Sequence, residues 1–99
     1  MNILKPYFMK LSARLEYLPI LQDYEWKVQG IRTARHTSGV WIRVMLRSKT
    51  IIMVKPSVID EVVKTLLPER FYFQYVEPSC DYVSLIFYKE VPYNPKRGF

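Results

Sequence analysis

The chain has 99 residues, of which 49% are hydrophobic and 15% aromatic, and its formal net charge is +6. This apolar content is enough for a hydrophobic core, so a disordered chain is excluded, and the length fits a single domain. The chain has one cysteine, so an intramolecular disulfide is excluded. Its longest aliphatic run, at residues 51–54, is far shorter than the ~20 residues that cross a bilayer.

The first predicted element is a helix over residues 4–18. Its apolar residues recur at helical spacing and are Leu4, Phe8, Leu11, Leu15 and Leu18. Asn2 is a candidate cap for this helix, and Pro6 is tolerated in the first turn, where no backbone donor is needed. Pro19 ends the pattern.

Beyond residue 23 the hydrophobic period changes to two, which is the period of a β-strand. We predict three strands, at residues 24–36, 40–47 and 50–55. Thr37 and Ser38, with Gly39 supplying a positive φ, are typical of a hairpin loop between the first two strands. Ser48 and Lys49 fit a tight turn before the third strand.

A second helix is predicted to begin at Ser57 and to end at Pro68. Ser57 is a candidate N-cap, and Asp60 stands at the capping-box position. The expected buried face consists of Val58, Ile59, Val62, Val63, Leu66 and Leu67. Two further strands follow at residues 70–77 and 82–90, joined by a turn at residues 78–81.

The predicted order is therefore α-β-β-β-α-β-β. It defines an α+β domain over residues 1–91, with a mainly antiparallel five-stranded sheet and two helices packed on one face. Residues 92–99 are rich in proline and charge, so we expect an extended basic C-terminal tail.

The middle third of the chain concentrates the positive charge. No Asp or Glu lies between Trp26 and Ile59, and the cations in that stretch are Lys27, Arg32, Arg35, Arg43, Arg47, Lys49 and Lys55. Positive charge clustered in this way attracts a polyanion or an acidic protein surface.

Strand register decides which of these cations share a face. A three-residue loop at residues 37–39 would put Arg35 opposite Trp41 and Gln29 opposite Arg47. Arginines interleaved with an aromatic ring suit phosphates and unstacked bases. The candidate nucleic-acid-binding residues are Lys27, Arg35, Arg43, Arg47, Lys49 and Trp41. A two-residue loop would instead bring Arg32 and His36 to that face.

Two other interpretations of the same face remain open. Its lysines and arginines are also typical of a solvated face that discourages edge pairing. Its apolar residues are Trp41, Met45, Ile52 and Val54, and a self-complementary homodimer interface would cover them.

Two features of the chain are similar to features of known nucleic-acid-binding families. The aromatic strand at residues 70–76 is similar to that of RNA-recognition domains but lacks their glycines, so Phe71, Phe73 and Tyr75 are expected to pack against the second helix. The first five elements follow the order of double-stranded-RNA-binding domains. Asp60 and Glu61 stand where that family has a lysine cluster, which argues against the same activity.

No catalytic, metal or cofactor site is predicted, and the chain is not expected to be an enzyme. His36 and Cys80 are single residues of their kind and cannot assemble a zinc site in one chain. Asp60 and Glu61 are adjacent on a helix and diverge, so they do not form an acid–base pair.

In composition the chain resembles small uncharacterised proteins of viruses of hyperthermophilic archaea, among them the Acidianus filamentous viruses. The resemblance rests on length, richness in Tyr, Ile and Lys, scarcity of Gln and Asn, and the α+β plan. It implies a thermostable viral protein of the host cytoplasm or virion, and it transfers no functional residues. No signal peptide and no membrane span are expected.

Together these observations predict a small basic protein that acts by binding. The first hypothesis is sequence-independent binding of DNA or RNA through the basic sheet face. The alternative is a protein-interaction or virion-associated module that binds a second copy of itself, or a host or virion protein.

Overall fold

A computed structural model describes residues 5–31, 39–49, 54–79 and 81–90, and the side chains from residue 9 onward. Its elements are the helices α1 (Lys5–Glu16) and α2 (Pro56–Leu66) and the strands β1 (Tyr24–Ile31), β2 (Gly39–Ser48), β3 (Tyr72–Pro78) and β4 (Val83–Glu90). Short 3-10 helices lie at Pro19–Asp23 and Leu67–Glu69. Neither described α-helix is long and apolar enough to cross a membrane.

The four described strands form one antiparallel sheet in the order β1-β2-β4-β3. The α+β class and the antiparallel sheet are therefore confirmed. The described order is α-β-β-α-β-β, without the strand predicted at residues 50–55. Most of that predicted strand, at residues 50–53, lies outside the described residues. Val54 and Lys55 are not in a strand, and Pro56 immediately begins α2.

Two predicted strand boundaries differ from the structure, and the predicted end of the first strand lies outside the described residues. β1 is described only as far as Ile31, and residues 32–38 lie outside the described part. Gly39 belongs to β2 in extended backbone, so the positive φ predicted for it is wrong. β3 begins at Tyr72 rather than at Arg70, because Arg70 is left-handed with φ 63° and cannot pair as a strand residue.

The buried face of α2 follows its sequence pattern. Val58, Val62 and Leu66 are buried as predicted, since they recur three to four residues apart on one side of the helix. Leu67, predicted for the same face, is 50% exposed, because α2 ends at Leu66 and Leu67 begins the 3-10 segment. The predicted cap is wrong: Lys55 is the N-cap in extended backbone, and no side chain caps the helix by a hydrogen bond. Pro56 occupies the first helical position, where its fixed φ suits the helix, and Ser57 therefore lies inside the first turn.

The core lies between the two helices and one face of the sheet. From α1 it receives Leu11 and Leu15, and from the central strands it receives Val40, Ile42, Val44, Leu46, Leu85 and Phe87. Alternate residues of β2 are buried along its length, which is the pattern of a strand with one covered face. Phe71, just before β3, joins the same core.

An ionic contact joins α1 to the segment that follows α2. The largely buried carboxylate of Glu69 lies 3.0 Å from Lys10 Nζ and 2.5 Å from Arg14 Nη2. The hydrogen bond from Lys10 is the largest cause that lowers the pKa of Glu69, and the charge of Arg14 also lowers it, against the opposing effect of burial.

This contact predicts a loss of stability in acid. Because the pKa of Glu69 is lower in the folded chain than its ordinary value of 4.5, its contribution is complete above that value and is lost as pH falls through the folded pKa. Glu69→Gln should lower the free energy of unfolding by about 1 kcal/mol at neutral pH, since both cationic partners are substantially exposed. The difference from the wild type should shrink in urea titrations as the pH falls below 4.5, and it should vanish once the pH lies below the lowered pKa of Glu69 in the folded chain.

Glu16→Gln is the control, because Glu16 is exposed on α1, the helix of Lys10 and Arg14, and forms no ion pair with a described residue. It should leave the stability profile close to that of the wild type. A Glu69→Gln profile parallel to the wild type through the acid range would contradict the assigned role of Glu69.

Candidate nucleic-acid interface

The face of the sheet opposite the helices, called the outer face below, carries most of the candidate residues. Both described helices pack on the other side, and the side chains that alternate with the core residues reach this one. Its charged and polar members are Glu25, Lys27, Gln29, Arg43, Arg47, Glu77, Ser84 and Glu90. Its apolar and aromatic members are Ile31, Trp41, Met45, Tyr72, Tyr75, Ile86 and Tyr88.

The register of β1 on β2 differs from the predicted one. Gln29 pairs with Arg43, not with Arg47, and Ile31 pairs with Trp41. This register is therefore not the one assumed from sequence for a three-residue loop at residues 37–39. The shift from Arg47 to Arg43 is four residues, an even number, so Lys27 keeps the predicted face even though the predicted pairing is wrong.

An aromatic row crosses the sheet at one end of the outer face. Tyr72 of β3 pairs with Tyr88 of β4, which pairs with Trp41 of β2, and Ile31 of β1 completes the row. The Trp41 and Tyr88 rings are tilted by 49° with centroids 4.9 Å apart. Half of the Tyr72 side chain is exposed, at 50%, so this ring is available to a ligand.

A β-bulge places a further ring on the outer face. The pairing of β3 with β4 shifts by one residue between Phe73 and Tyr75, so that Tyr72 and Tyr75 face the same side. The side chain of Gln74, within the bulge, donates from Nε2 to the Tyr72 carbonyl oxygen at 3.0 Å. Tyr75 is 52% exposed and lies beside Ile86, which is buried.

The bulge overturns part of the predicted packing of this strand. Phe71 is buried in the core, as predicted. Tyr75 does not pack against α2, because the extra residue sends it to the opposite face. Phe73 stays on the helix side, at the edge of the sheet, where its ring meets Phe87 edge-on at 5.7 Å and is still partly exposed.

Gly39 makes room for the Tyr88 ring. A Cβ atom built on Gly39 would overlap the far end of that ring. The missing side chain at the start of β2 therefore lets Tyr88 lie across the sheet against Trp41. The glycine contributes close approach rather than the turn geometry expected from sequence.

Arg47 is paired with a carboxylate from the neighbouring strand. Its Nη2 donates to Glu25 Oε2 at 2.7 Å, and the two residues are directly opposite in the register. The guanidinium carbon also lies 5.5 Å from the centroid of the Tyr82 ring, a cation–π distance. Both members of the ion pair are about half exposed.

Arg43 is more enclosed and less well paired. Its Nη2 lies 3.8 Å from Glu77 Oε2, beyond hydrogen-bonding distance. Its Nε is buried and has no hydrogen-bond acceptor within the described part of the chain. Its neighbours across the sheet are Gln29 on one side and the buried Ile86 on the other.

The remaining predicted residues divide into three cases. Lys27 is exposed on the outer face and forms no ion pair with a described residue. Lys49 follows β2, and its Nζ donates to the Gln22 carbonyl oxygen at 3.2 Å, which turns it toward Pro19–Asp23 and away from this face. Arg35 lies outside the described residues, as do His36 and Cys80.

The acid-free stretch of sequence does not produce an acid-free surface. Among the described residues of the outer face, the cations are Lys27, Arg43 and Arg47, and the anions are Glu25, Glu77 and Glu90. Antiparallel pairing brings these acids in from sequence positions outside the stretch. The described outer face is therefore an aromatic surface with two arginines that lie near carboxylates and one exposed lysine, Lys27, without an ion pair to a described residue.

The described residues thus form an antiparallel sheet backed by two helices on one side, with aromatic and basic side chains on the other. Sequence reasoning missed Tyr72, Tyr75 and Tyr88 as members of this surface. Alternation with Phe71 and Phe73 signalled Tyr72, and alternation with Phe87 signalled Tyr88. No group of three or more His, Cys, Asp or Glu residues in the described ranges is arranged to hold a metal ion. No family model, curated protein or solved structure matches the chain.

Proposed function

We propose that this protein binds single-stranded nucleic acid through its outer face, without preference for sequence. The observation that carries the proposal is the row of Trp41, Tyr88 and Tyr72, which lies directly beside Arg43 and Tyr75. Proteins that hold single strands combine such aromatic platforms with cations that contact the backbone.

The aromatic groups supply the stacking part of this function. Tyr72 and Tyr75 are half exposed on neighbouring rows of the sheet, so each can receive one base. The contact between Trp41 and Tyr88 holds both rings on the platform and limits the freedom that they lose on binding. Stacking accepts any base, because every base has a π-face.

The cations supply the electrostatic part. Lys27 is open to solvent, and Arg47 lies at the opposite end of the outer face from the aromatic row. These residues would contact phosphates and position the nucleic-acid strand. Such contacts do not distinguish one base from another. Arg35, predicted from sequence to share this role, remains part of the proposal.

Loss of the two arginines tests the proposal directly. The variant Arg43→Ala/Arg47→Ala should bind every single-stranded DNA and RNA sequence more weakly. The slope of log affinity against log salt should flatten by about 1.4, since each phosphate contact to a single strand contributes about 0.7. Fluorescence anisotropy over a salt series measures both quantities.

Lys55→Ala/Lys64→Ala is the matched control, because it removes the same charge from exposed positions at and within α2. This control should lower affinity less and change the slope little. No binding of single-stranded DNA or RNA by the wild type at low salt would contradict the proposed function. An equal change in slope for both double variants would contradict its assignment to the outer face.

A second candidate is a protein-interaction module that uses the same face to bind another copy of the chain. The balance of three cations and three carboxylates among the described outer-face residues favours it, because two such faces would meet without net repulsion. Light scattering at micromolar concentration would then give a dimer mass, and Trp41→Ala would reduce it to that of a monomer. A viral origin, proposed from the resemblance, is compatible with either function.

A further inference from the structure

We propose that Glu25 and Glu77 act as built-in competitors for phosphate, so that a nucleic-acid strand must displace them to reach the two arginines. This inference rests on the proposed function and concerns the regulation of the same site. Each carboxylate comes from an edge strand and approaches an arginine of the central strand β2.

The Arg47–Glu25 pair has the geometry of an occupied phosphate position. The carboxylate accepts a charge-assisted hydrogen bond at 2.7 Å, as a phosphate oxygen would. Because both side chains are half exposed, the pair stabilises the fold little and exchanges readily for an external anion. The Tyr82 ring beside the guanidinium remains as a stacking partner when the carboxylate leaves.

The Arg43–Glu77 pair is a weaker form of the same arrangement. At 3.8 Å the carboxylate attracts the guanidinium by charge but does not form a hydrogen bond. The terminal nitrogens of Arg43 therefore retain donor capacity for a phosphate beside Tyr75. Glu77 is about half exposed, so it can turn away into solvent when a strand arrives.

These two contacts have a measurable consequence for binding. A carboxylate held beside an arginine cancels part of the positive potential that a phosphate would meet. The wild-type chain should therefore bind more weakly, and with a shallower salt slope, than its exposed cations imply. Release of a bound strand becomes easier for the same reason, because the carboxylate is present to take its place.

Charge-neutral variants of the two glutamates test this inference. Glu25→Gln and Glu77→Gln should each tighten binding of a fluorescein-labelled oligothymidylate of about 20 nucleotides by about two- to fivefold at low salt. The double variant should show the product of the two factors, and its salt slope should be steeper than that of the wild type. Glu16→Gln is the control, since it makes the same change in net charge on the helix side of the sheet.

The possible outcomes separate this inference from the proposed function. Tighter binding by the two outer-face variants but not by Glu16→Gln supports the inference. If the wild type binds and the outer-face variants match it, or if all three substitutions act alike, the inference is overturned while the proposed function stands. If no variant binds the oligonucleotide, both are overturned.

Discussion

Replacing Leu66 with alanine should lower the free energy of unfolding by about 2–5 kcal/mol, the range for a fully buried leucine. Leu66 is 0% exposed and lies on the face of α2 that contacts the core. Truncation removes apolar contacts and leaves a cavity that its neighbours fill only in part. Urea denaturation followed by far-ultraviolet circular dichroism measures the change.

The next residue provides a matched control for this substitution. Leu67 is 50% exposed at the end of the same helix, so Leu67→Ala should change the free energy of unfolding by no more than about 0.5 kcal/mol. A loss below about 0.5 kcal/mol for Leu66→Ala, or equal losses for both variants, would show that the core-facing side of α2 is assigned incorrectly.

Replacing Trp41 with alanine should weaken binding to single strands by about 5- to 150-fold, since one base–aromatic stack contributes about 1–3 kcal/mol. The variant also removes the partner that the Tyr88 ring contacts at 4.9 Å, so more than one ring of the platform is affected. Binding to duplex should change much less, because paired bases cannot stack on a side chain. Anisotropy at one fixed salt concentration compares the two ligands.

Two further variants make this experiment specific. Trp41→Phe keeps an aromatic ring and should retain most of the affinity for single strands. Tyr17→Ala removes an aromatic side chain that is 85% exposed just beyond α1, and it should leave binding unchanged. Thermal melts must first show that Trp41→Ala folds. If the folded variant loses equal affinity for duplex and single strand, Trp41 does not act by stacking.

Local hydrophobic periodicity predicted much of the fold. The spacing of Val58, Val62 and Leu66 identified the buried face of α2, and the change of period to two beyond residue 23 identified the first two strands. These features can be read from sequence because helical and extended backbones repeat at fixed periods, so burial on one side leaves a direct imprint on residue order. The cap of α2 was misread because Pro56 and Ser57 are both good starting residues and only one can begin the helix.

The pairing of distant segments was decided by the tertiary structure. The partner of Gln29 depends on the register of β1 against β2, and the face of Tyr75 depends on a bulge in the pairing of β3 with β4. Lys49 was predicted to join the other cations, but its hydrogen bond to Gln22 turns it elsewhere.

Sequence by itself determined that this chain is an α+β domain with a helix of known buried face and a cation-rich middle third. Tertiary structure decided what surrounds those cations: Glu25 lies beside Arg47, and Glu77 approaches Arg43 from a strand more than thirty residues away. The reason is physical. Charge along a chain is a property of residue order, whereas the potential at a surface depends on strand register, which is set by the packing of the whole sheet.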